Sequence, residues 1–209
     1  VLFRSHMTMG LTVALVLRAA AELRIADHLT GGPKTAEEIA PKMDAHVPSL
    51  HRLMRALASH GVLTQDSEQR FGLTPLGETL VSGAPGGGRS TVLTLASDWW
   101  AQALDQLPHS IRTGNTSFEK IHGIPIFEWL GKNPERAAMF SETMVGFHGA
   151  EPPAVAAAYD FSRFKTIVDV GGATGNLLTT ILAAHAGPQG VLFDMPHVLR
   201  DAPTLIQSR

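Results

Sequence analysis

The sequence predicts a two-part fold: a mainly α N-terminal domain with the element order of a winged helix, then the first β-α-β unit of an α/β, Rossmann-like domain. Within residues 7–90, three helical patterns precede a pattern typical of a two-stranded hairpin. Within residues 159–209, an apolar strand pattern, a glycine-rich loop, a helix pattern and a second strand pattern follow one another. We interpret the intervening residues 91–158 as a helical connector.

The overall composition is that of an ordinary globular protein. The chain of 209 residues is 44% hydrophobic, has a net charge of −2 and contains no cysteine. The lack of thiols excludes disulfides, thiolate metal sites and cysteine nucleophiles, no metal site is predicted, and the near-neutral charge does not predict a polyanionic partner. No apolar stretch reaches the roughly 20 residues that span a membrane, so we expect a cytoplasmic protein with no membrane partner. Residues 1–6 resemble the remnant of a cloning tag and are left out of the fold prediction.

Three helices are predicted in the N-terminal domain. Residues 7–29 repeat apolar side chains at helical spacing and predict one amphipathic helix. Thr35 and Glu38 have the spacing of a capping box, which opens a short second helix. A third helix is expected to begin at Pro48 and to end at Gly61, because proline favours the first turn of a helix and glycine favours its end.

The hairpin pattern of residues 61–74 completes the winged-helix order and raises two functional alternatives. A DNA-binding winged helix, for example in a ligand-responsive regulator, needs a basic surface that faces the phosphate backbone. Residues 8–90 contain eight Lys and Arg residues against eight Asp and Glu residues. This neutral balance favours a winged helix used for homodimerisation through its apolar N-terminal helices. No nucleic-acid partner is expected, and DNA binding stays open as the alternative.

The connector is predicted to be mostly helical. Residues 84–90 are rich in glycine and predict a flexible link to one helical pattern over residues 90–114. A later helix is expected to have Asn133 as its N-cap and Pro134 in its first turn, and to end before Pro152. Four of its side chains follow each other at helical spacing along one face: Phe140, Met144, Phe147 and His148. From spacing alone, core packing is the simpler interpretation of that face.

A glycine-rich loop follows the first strand of the C-terminal unit. The dinucleotide-binding pattern G-x-G-x-x-G fails because Ala173 and Asn176 stand where it requires glycine, and no G-K-[ST] follows for a P-loop. The pattern that remains, D-x-G-x-x-x-G, suits a ligand without a pyrophosphate. Glycines let the backbone approach such a ligand at a helix N-terminus, and a carboxylate can help hold an ammonium group, directly or through water. The candidate binding residues of this loop are Asp169, Gly171, Gly172 and Gly175.

A second acid lies at the end of the second strand. Asp194 follows the apolar run "GVLF" and comes 23 residues after Gly171. This interval is close to the one at which nucleotide-binding units place an acid for the ribose hydroxyls. An ammonium group, an adenosine ribose and no phosphate together describe S-adenosylmethionine. On spacing alone, this interpretation is balanced against a simple strand-ending turn over residues 194–196.

The segments "VDVGGATGNLL", "GVLFDMPHVL" and "DAPTL", together with "RTGNTSFEKIHGIPIFEWL", resemble the O-methyltransferases of the caffeic-acid and hydroxyindole type. The likeness covers nearly the whole chain after residue 6, with its separated motifs in the family's order. It implies a winged-helix dimerisation domain followed by a Rossmann-like class I methyltransferase domain. It also implies that the loop at Gly171 contacts the methionyl part of S-adenosylmethionine, that Asp194 binds the ribose, and that Met195 packs on the adenine.

The resemblance also implies roles for the aromatic helix. Phe140 and Met144 would line the pocket of the aromatic substrate, and Phe147 falls where plant relatives often carry a histidine. His148 falls where the carboxylate of the cofactor is approached. The chain departs from the family pattern at two positions. Ala173 replaces the usual middle glycine by a single methyl group, a change that we expect to tolerate the cofactor. Phe147 makes the pocket more apolar than in plant relatives, so their substrates are not carried over.

The sequence thus predicts a homodimeric S-adenosylmethionine-dependent O-methyltransferase that acts on a small hydroxylated aromatic, with positioning as the main source of rate. A histidine acts as general base in this family and is expected beyond Arg209, so no catalytic residue is assigned in this chain. We therefore expect a piece of a longer enzyme that is inactive by itself. The alternatives are a C- or N-methyltransferase on the same fold and a non-catalytic dimerisation module with a vestigial second domain.

Overall fold

The computed structural model describes residues 2–199 and residue 202. Its chain divides into two units, Val1–Ile126 and Phe127–Arg209. Within the described residues helices predominate, and the strands form two separate two-stranded sheets. None of the helices in this described part is long and apolar enough to cross a bilayer.

The beginning of the first unit has the predicted winged-helix order. Its elements are α1 (Leu2–Glu22), α2 (Ile25–Leu29), α3 (Ala36–Ile39), α4 (Val47–Ser59), β1 (Leu63–Gln65), β2 (Phe71–Leu73) and α5 (Pro75–Glu78). A single 3-10 turn, Ala40–Lys42, extends α3. Strands β1 and β2 are antiparallel, with Thr64 opposite Gly72, so the predicted hairpin is confirmed.

The single helix predicted over residues 7–29 is wrong. The helix begins at Leu2, within the segment that resembles a tag remnant, and it ends at Glu22. It stops there because Arg24 adopts a left-handed backbone conformation with φ of 52°, which turns the chain. The turn starts the separate helix α2, whose Ile25 and Leu29 are buried in the core.

The core of this region lies between α2, α3, α4 and the hairpin. Its largest fully buried apolar side chains are Ile25, Ile39, Met54, Leu57 and Phe71. The predicted capping box of α3 is confirmed, because the N–H of Thr35 donates to the carboxylate of Glu38 across 2.6 Å and the Thr35 side chain accepts in return from the third residue of the helix.

The region after the hairpin is more broken than the sequence predicted. The pattern over residues 90–114 forms three helices, α6 (Gly88–Leu95), α7 (Asp98–Asp105) and α8 (Leu107–Thr113). The breaks have local causes: the hydroxyl of Ser97 accepts from the N–H of Trp100 and caps α7, and Pro108 lies in the first turn of α8. Helix α9 (Ser117–His122) packs against α7, where Phe118 meets Trp99 edge-on with 6.1 Å between ring centroids.

The flexible link predicted for residues 84–90 is wrong for its last three residues. These begin α6, and the guanidinium of Arg89 donates to the carbonyl of Ala21 in α1 across 3.0 Å. Ser90 is buried and donates to the carbonyl of Gly87. Tertiary contacts with α1 therefore order a segment whose composition alone favours flexibility.

The remaining elements lead to a parallel sheet. They are α10 (Ile126–Lys132), α11 (Pro134–Phe147), α12 (Glu151–Ala158), β3 (Thr166–Val170), α13 (Asn176–Ala184), β4 (Gln189–Phe193) and α14 (Pro196–Leu199). Strands β3 and β4 pair in parallel, with Asp169 opposite Leu192 and Val170 opposite Phe193. The predicted β-α-β unit is confirmed.

Helix α11 begins at the predicted residue, without a side-chain cap, and ends earlier than its pattern predicted. Asn133 is the N-cap by position, but its side-chain amide donates to the carbonyl of Trp129 across 2.8 Å instead of capping the helix. The helix ends at Phe147, and Pro152 lies in the first turn of the separate helix α12. Prolines at that position open a helix, because the missing N–H has no intrahelical partner there in any case.

The two faces of the β3–β4 sheet differ. Ile167 and Asp169 alternate with Val168 and Val170 along β3, and the latter two are 56% and 72% exposed. The other face packs on α13, since a side-chain carbon at Gly190 would lie within about 3 Å of side chains of that helix. Asp169 therefore lies on the face that α13 covers.

Candidate functional site

The glycine loop, residues 171–175, joins the end of β3 to the start of α13. Gly171 and Gly175 have φ values of 74° and 81°, a region that glycine adopts without strain. The N–H of Gly171 donates to the carbonyl of Phe193 at the end of β4, and the N–H of Gly175 donates to the carbonyl of Gly172, both across 2.8 Å. The loop is thus a tight turn anchored to both strands.

Helix α13 begins at this loop without a side-chain cap. Gly175 is its N-cap residue and has no side chain that could accept from the first turn. The hydroxyl of Thr179 donates back to the carbonyl of Gly175 across 2.7 Å and fixes the last residue of the loop. The positive end of the helix dipole, with its N–H groups, therefore lies directly behind the loop.

Asp194 lies at the carboxyl end of β4, beside the loop. One carboxylate oxygen accepts from the backbone N–H of Ala173 across 2.8 Å, and the other accepts from the N–H of Met195 across 2.7 Å. The structure therefore brings together the loop and the acid that the sequence analysis paired. Met195 follows at the surface and is 37% exposed.

The donor at Ala173 is the part of the site that sequence reasoning missed. The sequence presented Ala173 only as a glycine replaced by one methyl group, whereas the structure places its N–H on Asp194 and its φ at 49°. A backbone donor has no side-chain signature, so the non-glycine residue in the left-handed region becomes visible only in the fold.

Asp169 is partly buried, and its carboxyl group lies next to Gly172 of the loop. Its Oδ2 atom is buried and accepts no hydrogen bond from the residues that the structure describes. Burial raises the pKa of the Asp169 carboxyl above its usual range; a hydrogen bond from the N–H of Leu178 acts against this, and the charge of Asp194 adds to it. The two acids of the site are thus electrostatically coupled.

The predicted pocket residues of the aromatic helix α11 differ in solvent exposure. Phe140 is half-buried and meets Phe127 edge-on with 6.4 Å between ring centroids. Met144 is also half-buried, whereas Phe147 is 52% exposed. The fully buried residue of this helix is Thr143, whose hydroxyl donates to the carbonyl of Met139 across 2.8 Å.

His148 ends α11 and pairs with Glu151 at the start of α12. Its Nδ1 lies 2.6 Å from a carboxylate oxygen of Glu151, and both side chains are more than half exposed. The structure does not describe the side chain of His197 or most of the "DAPTL" motif; of its residues 201–205, only Ala202 is described.

Known protein domains match successive parts of the chain in the predicted order. An O-methyltransferase dimerisation domain matches residues 5–83, and an O-methyltransferase domain matches residues 104–209. Phenazine O-methyltransferase PhzM of Lysobacter antibioticus is 40% identical over 197 residues, which cover 94% of this chain and 58% of the relative. The chain therefore spans less than two thirds of the length of this relative.

Solved structures have the same fold. The N,N-8-amino-8-demethyl-D-riboflavin dimethyltransferase of Streptomyces davawensis matches with a TM-score of 0.83 and 32% identity over 99% of this chain and 62% of its own. The O-methyltransferase NcsB1 from neocarzinostatin biosynthesis, solved with S-adenosylmethionine and 2-hydroxy-5-methyl naphthoic acid, matches with a TM-score of 0.74 and 33% identity over 94% of this chain and 62% of its own. The predicted resemblance and fold class are confirmed. The chain belongs to the O-methyltransferase family, with a dimerisation domain followed by a class I methyltransferase domain.

Proposed function

We propose that the protein transfers a methyl group from S-adenosylmethionine to a hydroxyl group of a small aromatic, natural-product-like compound. The observation on which the proposal rests is the contact of Asp194 with the backbone of the glycine loop, which places an acid and an uncrowded backbone side by side at the carboxyl ends of two parallel strands. Ligands of open α/β sheets bind at these ends.

The residues at this edge fit such a cofactor. Each carboxylate oxygen of Asp194 receives one backbone N–H, which leaves acceptor capacity for the two ribose hydroxyls. Glycines at positions 171, 172 and 175 leave the backbone open to the methionyl part, and the half-exposed Met195 can pack on the adenine. His148, next to Glu151, is proposed to approach the carboxylate of the cofactor. When bound, the cofactor supplies an electrophilic methyl group on a sulfonium.

The proposed substrate pocket is formed by Phe140, Met144 and Phe147. Two of these side chains are half-buried and one is largely exposed, and all three are apolar, as an aromatic substrate requires. No catalytic residue is proposed within residues 1–209. His148 is assigned to the cofactor and not to proton transfer, as its place in the family resemblance implies, and its Nδ1 lies beside Glu151.

We also propose a homodimer formed through the N-terminal helices. Helix α1 exposes four large apolar side chains, and it lies within the matched dimerisation domain. These side chains are Met7, Met9, Leu11 and Leu15. The neutral charge balance of residues 8–90 supports the absence of a nucleic-acid partner, and the cytoplasmic location expected from the sequence stays a proposal.

A second candidate is methyl transfer to nitrogen on the same fold. It is supported by the likeness to the riboflavin-type N,N-dimethyltransferase. The two candidates differ in the acceptor atom and share the cofactor site, so the acceptor has to be tested separately from the cofactor.

The test of the cofactor site is calorimetry with S-adenosylhomocysteine on the full-length protein. We expect binding by the wild type and at least a tenfold weaker affinity for Asp194→Ala, because ribose hydroxyls that bond a carboxylate would lose their acceptor. Equal affinities, or no binding by either protein, would refute the assignment. Transfer of a labelled methyl group to hydroxylated and to aminated naphthalenes then separates the O- and N-acceptor candidates.

A further inference from the structure

The side chain of Asp169 fills the space beneath Gly172. A side-chain carbon added at Gly172 would lie 2.4 Å from Cγ of Asp169, 2.5 Å from its Oδ2 and 2.6 Å from Cδ1 of Leu192. Non-bonded contacts of Cβ atoms in proteins are essentially never below 3.0 Å, so the carboxyl group occupies the space that a side chain at position 172 would need. Gly172 has no positive φ, and its need for glycine is therefore a matter of space.

The carboxyl group of Asp169 also lies close to the helix behind the loop. It faces the N–H of Leu178, the third residue of α13, at a helix start that has no side-chain cap. A negative charge at the N-terminus of a helix is favourable. The other oxygen, Oδ2, is buried on the same covered face of the sheet.

We propose that Asp169 is a positioning residue, which supports the glycine loop and the start of α13 from within and does not contact the ligand. The proposal rests on the proposed S-adenosylmethionine site and gives one of its candidate residues, Asp169, a structural role. A ligand that approaches the open backbone of the loop meets Gly172, and Asp169 lies on the far side of that backbone. Asp194 is then the acid that contacts the ligand.

Two substitutions of Asp169 distinguish support of the glycine loop from direct contact with the ligand. Asp169→Asn keeps an oxygen for the Leu178 N–H and keeps the volume beneath Gly172, so we expect its affinity for S-adenosylhomocysteine to stay within about threefold of wild type. Asp169→Ala removes both, so we expect at least a tenfold loss. Asp160→Asn is the matched control. The Asp160 carboxylate accepts hydrogen bonds from the N–H and the hydroxyl of Ser162, before β3, and not from the glycine loop.

A second pair of variants keeps the test valid where Asp169→Ala unfolds the domain. Gly172→Ala should weaken binding at least tenfold by pushing on Asp169. Adding Asp169→Ala to that variant should restore part of the affinity, because the added methyl group then occupies vacated space and only the flexible end of Leu192 must move. A purely additive loss in the double variant would contradict the contact.

The outcomes are separable from those of the proposed function. Hydrogen exchange at residues 171–178 reports support of the loop without any ligand, and we expect faster exchange in Asp169→Ala than in wild type and Asp169→Asn. Unchanged exchange in Asp169→Ala overturns the proposal. An equal tenfold loss of affinity in the folded Asn and Ala variants overturns it as well, because the charge would then contact the ligand. Failure of the wild type to bind S-adenosylhomocysteine refutes only the cofactor assignment.

Discussion

The backbone N–H of Ala173 donates to Oδ2 of Asp194 across 2.8 Å and ties the glycine loop to the end of β4. This bond fixes the rotamer of the acid and the path of the loop at the same time. The hydrogen bond to a charged acceptor contributes about 1.5–3 kcal/mol where it is well formed. The preorganisation of the proposed cofactor site thus depends on a backbone atom.

Two substitutions at Ala173 should have different effects on binding. Ala173→Gly keeps the N–H and suits the φ of 49°, so affinity for S-adenosylhomocysteine should stay within about threefold of wild type. Ala173→Pro removes the donor and fixes φ near −65°, so the loop should leave Asp194 and affinity should fall at least tenfold. Calorimetry on both folded variants decides this, and equal affinities would show that the bond does not organise the site.

Asp169 should make stability depend on pH. Because its pKa is raised above the ordinary value of 3.8, ionisation opposes folding; the stabilising contribution is complete below that value and is lost as pH rises through the folded-state pKa. Asp169→Asn lacks this titration, so its stability relative to wild type should increase from about pH 4 upward and then level off. Urea midpoints between pH 3.5 and 7.5 measure the difference. A constant difference across this range would contradict the raised pKa.

The capping box of α3 should contribute measurably to the free energy of unfolding of the first unit. Thr35→Ala removes the hydroxyl that accepts from the third residue of the helix, and we expect a loss of about 1 kcal/mol in the free energy of unfolding. Thr35→Ser keeps the acceptor and serves as the control, with a change below about 0.5 kcal/mol. Denaturant unfolding of both variants provides the comparison, and equal losses would locate the effect in the methyl group of threonine.

The buried ring of Phe71 should dominate the core of the winged-helix part. It is fully buried in β2 and meets His51 edge-on with 5.5 Å between ring centroids, so Phe71→Ala should cost about 3–5 kcal/mol. Phe147→Ala, at a ring that is 52% exposed, should change stability by less than about 1 kcal/mol. Thermal unfolding of the two variants tests the contrast, which fails if their midpoints shift alike.

Most of the helices and strands were predicted from local sequence patterns. The box formed by Thr35 and Glu38 and the β-α-β alternation around the glycine loop were each readable, because caps, turns and strand periods depend on neighbours in the chain. The paired acids Asp169 and Asp194 were also found from their places at strand ends. Their different surroundings were not: Oδ2 of Asp169 is buried and accepts no hydrogen bond from the described residues, whereas both oxygens of Asp194 accept a backbone N–H. These surroundings depend on how α13 and the loop close over the sheet.

By itself, the sequence determined the family and the winged-helix order, and it predicted the two acids of the candidate site. Only the tertiary structure decided the break at Arg24, the ordering of Arg89 by the carbonyl of Ala21, and the bond from the N–H of Ala173 to Asp194. The bonds of Arg89 and Ala173 join groups that are distant in the chain, and a linear pattern contains no record of those distances. The backbone bonds of Arg24 are local, but its left-handed conformation turns the chain so that Ile25 and Leu29 are buried, and the position of the core is likewise a property of the fold.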